Sequence, residues 1–252
     1  MQSLERHPVL LSVAVVVAIA GIGVSLHLVF AGVASVPLRL ALSAAVMLVS
    51  LGVGLYVASR LGWRRAGFRR DLDPRGRQTL WLLALPVLSA GLVFGVRGSG
   101  QPAVTVFLLG GLATLVALHE ETWFRGVILT VLAGRGPLPA VVASAALFGI
   151  GHSLNVLTTS ASPLAVVYQV ISAGLVGILF GTVRIRTGMI WPSVIVHALV
   201  DWASFSVLYP QISPREPKPV PAIAGLAVYG VLAAAALWSL RREEVRTQPS
   251  AG

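Results

Sequence analysis

Seven ionisable residues lie within three long apolar stretches of this sequence, 102–132, 138–157 and 189–208, where charged groups are uncommon. Three of the nine acids, Glu120, Glu121 and Asp201, are surrounded by apolar residues, whereas the other six lie in loops or near the termini. The basic or titratable residues in the same stretches are Arg125, His119, His152 and His197. Ionisable side chains at membrane depth are costly, and they usually mark a transport path, a proton relay or a catalytic site.

Glu120 and Glu121 are neighbours, but on a helix they point in different directions. Glu121 and Arg125 are spaced i, i+4, which places a carboxylate and a guanidinium on one helical face. The planar fork of arginine favours two parallel hydrogen bonds to such a carboxylate. Glu120 is rotated by about 100° and has no such cation. We therefore predict a structural pair of Glu121 with Arg125 and a role for Glu120 as general base.

Two further segments repeat the i, i+4 spacing. Phe148 and His152 share one helical face, and His197 and Asp201 share another. At a rise of about 1.5 Å per residue, Glu120, His152 and Asp201 lie roughly 18–21 Å from the expected inner helix ends, and His197 lies roughly 12 Å from its own. Three helices are therefore expected to bring polar side chains to one layer of the membrane.

Three motifs follow one another along the chain: Glu120-Glu121-x-x-x-Arg125, Phe148-x-x-x-His152 and His197-x-x-x-Asp201. They resemble the three motifs of the CAAX protease and bacteriocin-processing family, which includes type II CAAX prenyl endopeptidases and bacterial abortive-infection homologues. The resemblance covers about residues 102–208. One such motif is weak evidence, but three in order on separate apolar segments are specific. The resemblance implies an intramembrane endopeptidase.

The resemblance also implies roles for the motif residues. The catalytic set is Glu120 and His152, which would activate a water, with His197 and Asp201, which would stabilise the oxyanion; Glu121, Arg125 and Phe148 would support them. Eukaryotic members often carry Asn at the last position, and many bacterial members carry Asp. An ionised Asp201 would repel an oxyanion. We therefore expect Asp201 to be protonated, to orient His197 or to bind a metal.

No cofactor is favoured, and zinc is the alternative. Glu120, His152 and His197 would make a three-ligand zinc site with one open position. The segment is not an HExxH motif, because Trp123 stands where the second histidine would fall. The chain has no cysteine, which excludes a thiolate site. The resemblance itself favours a metal-free mechanism that depends on glutamate.

A bundle of apolar helices must position these side chains. Only 11% of the residues are charged, against about 25% in soluble domains, and the mean hydropathy is +0.86. Windows of about 20 apolar residues predict eight spans. These are 9–33, 39–59, 79–96, 102–132, 138–157, 163–183, 189–208 and 220–240. The fourth is too long for one straight crossing and is expected to bend or to leave the membrane near its end.

The predicted fold is all-α, a polytopic membrane helix bundle of about eight transmembrane helices. We expect a single membrane-embedded domain over 1–252, with a catalytic core at about 102–208 and a disordered tail at 246–252. The residues between Arg60 and Arg77 include seven arginines, which places this loop in the cytoplasm. Alternation of the spans then puts both termini in the cytoplasm, with fourteen basic residues inside and four outside. The localisation that follows is a bacterial inner (plasma) membrane.

The net charge of +10 is explained by this topology, so no nucleic-acid partner is predicted. The expected partners are membrane lipid and a peptide or membrane-protein substrate, cleaved at or within the cytoplasmic half of the membrane. The alternatives are a zinc-dependent form of the same protease, a proton-coupled transporter and a non-catalytic membrane scaffold. The absence of an internal sequence repeat counts against the transporter. The sequence names neither the substrate nor an oligomeric state.

Overall fold

The computed structural model describes residues 7–30, 32–33, 35–74 and 76–247, and every regular element within these ranges is helical. The α-helices are α1 (Pro8–Phe30), α2 (Val36–Leu61), α3 (Ala84–Arg97), α4 (Ala103–Glu121), α5 (Leu129–Leu132), α6 (Pro137–Gly151), α7 (Asn155–Thr158), α8 (Pro163–Thr187), α9 (Trp191–Leu208) and α10 (Pro219–Thr247). Shorter 3₁₀ segments cover Arg77–Leu83, Ala133–Arg135 and His152–Leu154.

Eight of the helical stretches in the described part of the chain are long and apolar enough to cross a membrane. Several large apolar side chains on α1 and α2 are exposed, among them Leu10, Val17 and Val49, as expected for helices that face lipid. The prediction of a polytopic all-α membrane bundle is therefore confirmed. The helix α10 continues to Thr247, and the rest of the predicted tail, 248–252, lies outside the described residues. The single-domain assignment stays a prediction.

The fourth span departs from a straight α-helix where the sequence predicted a disturbance. After α4 the chain runs through a π-helical segment, Thr122–Ile128, before it continues as α5. All seven residues of this segment are buried. A π-helical turn has i→i+5 hydrogen bonds, and such turns occur frequently at functional sites. The segment begins directly after Glu121 and contains Arg125, so it sets the directions of both side chains.

The helices that carry the predicted site pack closely in pairs, α4 against α9 and α6 against α8. Glycines permit the second of these contacts. A Cβ built on Gly177 would lie 3.1 Å from Ala145, and one built on Gly181 would lie 3.2 Å from Val141 Cγ1. The small residues of α8 thus allow its backbone to approach α6, which is the ordinary role of small residues in membrane helix packing.

The loop rich in arginine, described over residues 62–74 and 76, folds back onto the ends of α5, α8 and α9. The amide of Ile190 donates to the carbonyl of Gly67 at 3.1 Å. The carbonyl of Arg65 accepts from Arg184 Nη2 at 2.6 Å and from Thr130 Oγ1 at 3.2 Å. This loop is therefore a packed cap on one end of the bundle.

The contact of α6 with α8 generates a stability prediction. A methyl group at Gly149 would lie 2.7 Å from the carbonyl oxygen of Val170 and 3.2 Å from Gly174 Cα, so the backbone itself must move. We expect Gly149→Ala to destabilise the protein by about 1–3 kcal/mol, the usual cost of overpacking. Thermal unfolding in detergent measures the effect.

Gly151→Ala is the matched control, because it lies on the same helix and a Cβ there has nothing within 4 Å. Equal unfolding temperatures for the two variants would contradict the close approach of α6 and α8.

Candidate active site

One cavity of about 690 Å³ joins the four residues predicted to be catalytic, which are Glu120, His152, His197 and Asp201. They come from three parts of the fold: the end of α4, the turn after α6, and α9. The structure therefore brings together side chains that are up to 81 positions apart in the sequence. Their chemical roles stay predictions at this point.

The supporting pair, Glu121 and Arg125, lies beneath this cavity and is almost completely buried. Glu121 Oε1 accepts from Arg125 Nη1 at 2.9 Å, and the two side chains are 0% and 1% exposed. The second parallel bond that the sequence led us to expect is not formed. Arg125 Nη2 instead reaches the carbonyl of Gly177 on α8, at 3.5 Å. The pair thus ties α4 and the π-helical segment to α8.

Aromatic rings enclose the guanidinium of Arg125. Its Cζ lies 4.3 Å from the ring centroid of Phe148 and 5.5 Å from that of Phe180. Such cation–π contacts contribute about 2 kcal/mol when the cation is desolvated. The Phe148 ring also contacts His152 and His197, with centroids 4.8 Å and 6.0 Å apart. Phe148 therefore contacts the guanidinium of the supporting pair and the rings of both histidines. The contact of Phe180 with Arg125 was not predicted from the sequence.

His197 connects the supporting pair to the cavity. Its Nδ1 lies 3.0 Å from Glu121 Oε1, and because an ionised carboxylate only accepts, Nδ1 is the donor. On the other side of the ring, Nε2 lies 3.5 Å from Asp201 Oδ2 and 3.7 Å from Glu120 Oε2. The spacing of His197 and Asp201 predicted the first of these neighbours. No local pattern indicated that His197 would bridge both glutamates.

His152 is held by a backbone hydrogen bond rather than by another motif residue. It is the first residue of the 3₁₀ turn that follows α6, one position beyond the helix that the spacing had suggested. Its Nδ1 lies 2.8 Å from the carbonyl oxygen of Phe148. Since a carbonyl only accepts, Nδ1 carries the proton, and Nε2 is the acceptor of the neutral ring.

The first glutamate of the pair presents an unpaired oxygen. Glu120 Oε2 is buried and has no hydrogen-bond partner among the described residues, although Glu120 lines the cavity. Buried polar atoms are nearly always hydrogen-bonded, and exceptions occur at catalytic positions. Glu120 and Glu121 thus differ as predicted, since only Glu121 is paired with a guanidinium.

His119 is oriented by α2. Its Nε2 lies 2.9 Å from Ser50 Oγ, and the indole N–H of Trp123 donates to the same hydroxyl at 3.3 Å. These contacts fix the ring of His119, which also lines the cavity. Asn155 donates to Gln169 Oε1 at 2.7 Å and lines the cavity as well.

The alternative zinc site was tested against the positions of its predicted ligands. Among the described residues, no group of three or more His, Asp or Glu side chains is arranged to hold a metal ion. Glu120, His152 and His197 as placed therefore do not fit zinc, and we derive no step through a metal. The preference for a metal-free mechanism stays a prediction.

Comparison with known families agrees with the three motifs. Residues 102–203 match the family model described as "Type II CAAX prenyl endopeptidase Rce1-like". The match starts at the beginning of α4, ends within α9 and covers about two fifths of the chain, including all three motifs. It agrees with the resemblance recognised in the sequence, because the segment 102–203 is similar to this family of CAAX proteases. With eight membrane-spanning apolar helices in its described part, the chain is an integral membrane protein. Comparisons with curated proteins and with solved structures found no match.

The buried ion pair generates the second prediction. Arg125→Met removes the guanidinium and leaves the carboxylate of Glu121 buried without its cation, which typically costs about 3–5 kcal/mol. We expect a clearly lower unfolding temperature in detergent for this variant.

Arg64→Met is the matched control, because Arg64 pairs with Asp71 at 2.8 Å and both side chains are more than half exposed. Exposed pairs contribute about 0–1 kcal/mol. If Arg125→Met unfolds at the same temperature as Arg64→Met, the ion pair does not stabilise the site.

Proposed function

We propose that the protein is an intramembrane endopeptidase in which Glu120 activates a water for attack on a peptide bond of a membrane-associated peptide or protein. One observation carries the proposal: Glu120, whose Oε2 has no hydrogen-bond partner among the described residues, lines the same cavity as His152, His197 and Asp201. The Rce1-like match over 102–203 supports the peptidase class. The bacterial inner membrane and the cytoplasmic termini are further parts of this proposal.

The proposed reaction begins with a water between Glu120 and His152. The carboxylate of Glu120 takes a proton from this water, and the oxygen attacks the carbonyl carbon of the substrate. His152 has Nε2 as its acceptor and holds the second hydrogen of the water. The tetrahedral intermediate collapses when Glu120 returns its proton to the nitrogen of the leaving amine. The carbon–nitrogen bond breaks, and the products are a carboxylic acid and an amine.

His197 stabilises the oxyanion in this proposal. The bond from Nδ1 to Glu121 fixes the ring, so Nε2 faces the cavity side on which Glu120 and Asp201 lie. His197 acts here as the imidazolium, protonated on both ring nitrogens beside three carboxylates, so Nε2 can donate to the oxyanion. A donor held in place before the reaction stabilises the developing charge without reorganisation. Asp201, 3.5 Å from Nε2, orients the ring and offsets its charge. Of the three roles that the sequence left open for Asp201, this one has support from its position.

The remaining alternatives have less support. No contact among the described residues favours a proton-coupled transporter or a non-catalytic scaffold over the peptidase. A transporter would also require a path that reaches both ends of the bundle, whereas the lining of the cavity includes no residue of the arginine-rich loop.

Substitution of the proposed base tests the function. Glu120→Gln keeps the shape of the side chain but removes its basicity, and loss of a general base lowers rates by about 10²–10⁴-fold. Purified protein is incubated with a peptide library, and products are identified by mass spectrometry. We expect products with the wild type and a loss of at least about 10²-fold with Glu120→Gln.

Asp71→Asn, which removes an exposed acid on the arginine-rich loop, should cleave like the wild type. Undiminished cleavage by Glu120→Gln would defeat the proposal.

Metal removal tests the choice between the two mechanisms. A metal-free reaction predicts that 1,10-phenanthroline leaves the cleavage rate unchanged after dialysis. If the chelator abolishes cleavage and added zinc restores it, the zinc-dependent alternative holds instead.

A further inference from the structure

The described lining of the cavity extends from the candidate site to one end of the bundle. Its inner part is formed by the site residues and by Phe124 and Phe148, and its outer part includes Thr159 with the exposed residues Arg215 and Glu216. Among the described residues, the lining includes none from the arginine-rich loop and none from the turns at 133–136 and 188–190. A substrate that reaches Glu120 through this cavity therefore enters from one side.

The entry side is the end of the bundle where α6 and α9 finish and α8 begins. We call this end the open face, and it comprises residues 98–102, 152–162 and 209–218. These segments contact one another: Gln101 Nε2 donates to the carbonyl of Tyr209 at 3.3 Å, and the hydroxyl of Ser162 donates to Glu216.

The arginine-rich loop caps the opposite end. Each of α6 and α9 starts beside that loop and finishes at the open face, so the two faces are separated by the length of a membrane span. In the sequence, the segment from Arg60 to Arg77, which contains this loop, holds seven arginines, whereas the basic residues of the segment 209–218 are Arg215 and Lys218. The positive-inside rule places the arginine-rich end in the cytoplasm. The open face is then extracytoplasmic.

We infer that the site is reached from the extracytoplasmic side, by a polypeptide segment presented at the outer surface of the membrane. This inference rests on the proposed function, because the segment that enters the cavity is a substrate only if the protein is an endopeptidase. It differs from the expectation that the substrate is cleaved at or within the cytoplasmic half of the membrane. That expectation used the orientation of the helices alone and did not consider which end of the bundle the cavity lining reaches.

The residues that line the cavity indicate which kind of polypeptide segment would fit it. Val16 and Ile19 of α1 and Met47 of α2 form an apolar wall, while Asn155 and Gln169 contribute polar groups towards the open face. A polypeptide that continues from a membrane anchor into the aqueous phase has the same order of apolar and polar parts. The structure thus favours a segment that flanks an anchor over a freely soluble peptide.

Cysteine accessibility tests the entry side without relying on activity, since the natural chain has no cysteine. Ser204→Cys places a thiol on the cavity wall, three residues beyond Asp201. Intact cells are treated with a small, charged, membrane-impermeant methanethiosulfonate. We expect Ser204→Cys to react from outside.

Two control variants distinguish access through the cavity from access through lipid and from leakage of the reagent into the cell. Leu199→Cys lies on the same helix but outside the cavity lining and is exposed on the bundle surface, so lipid should keep it unreactive. Gln78→Cys is exposed at the arginine-rich end and should react only after the cells are permeabilised. Reaction of Ser204→Cys only after permeabilisation would overturn the inference, as would reaction of Gln78→Cys in intact cells.

Arg215→Cys, on the exposed rim, gives an independent report if Ser204→Cys does not fold. It should be modified from outside by a bulky maleimide, and the modified protein should cleave more slowly than the same variant left unmodified. Unchanged cleavage after complete modification would overturn entry through this rim. If both cysteines react from outside and the wild type cleaves no peptide, external access stands and the endopeptidase proposal fails.

Discussion

A guanidinium buried in the middle of a membrane protein must have a counter-charge, and this requirement organises the site. Arg125 is 1% exposed, and Glu121 supplies the carboxylate one helical turn away. Because the carboxylate is held by Arg125, it can also hold the imidazole of His197 through Nδ1. The orientation of His197 in turn places Nε2 near Glu120 and Asp201. One ion pair thus determines the positions of groups from two helices.

Two adjacent glutamates have different surroundings because of this arrangement. Glu121 is fully buried and paired, whereas Glu120 lines the cavity with one oxygen that no described group satisfies. A structural carboxylate and a chemically available one therefore belong to adjacent residues. The π-helical segment begins at Thr122, directly after the two glutamates. It contains Arg125, whose guanidinium lies against the rings of Phe148 and Phe180. These contacts make the supporting pair part of the packed core rather than a surface feature.

Local sequence patterns were sufficient for the parts of the site that depend on local geometry. The i, i+4 spacing predicted the contacts of Glu121 with Arg125 and of His197 with Asp201, and apolar stretches predicted the eight spans. The three motifs predicted that α4, α6 and α9 supply one site. These features follow from the period of a helix and from the cost of exposing polar groups to lipid.

Contacts between distant segments could not be predicted in the same way. The bond from His197 to Glu121 joins residues 76 positions apart, and it depends on the packing of α9 against α4 and on rotamers. The contribution of α8 was also missed, although the glycine pair at 177 and 181 was a signal, since a small residue lets a backbone carbonyl approach Arg125. Ser50 carried no signal, because an isolated serine in an apolar helix is ordinary. The face on which the cavity opens follows only from the lining of the assembled fold.

The central claim is that side chains from three helical segments meet around one reacting peptide bond. The most direct measurement is an experimental structure of the Glu120→Gln variant with a bound, uncleaved peptide. The account predicts the scissile carbonyl in the cavity, with its carbon close to the residue-120 side chain and its oxygen within hydrogen-bonding distance of His197 Nε2. A peptide bound elsewhere on the protein, with residue 120 remote from every carbonyl, would contradict it.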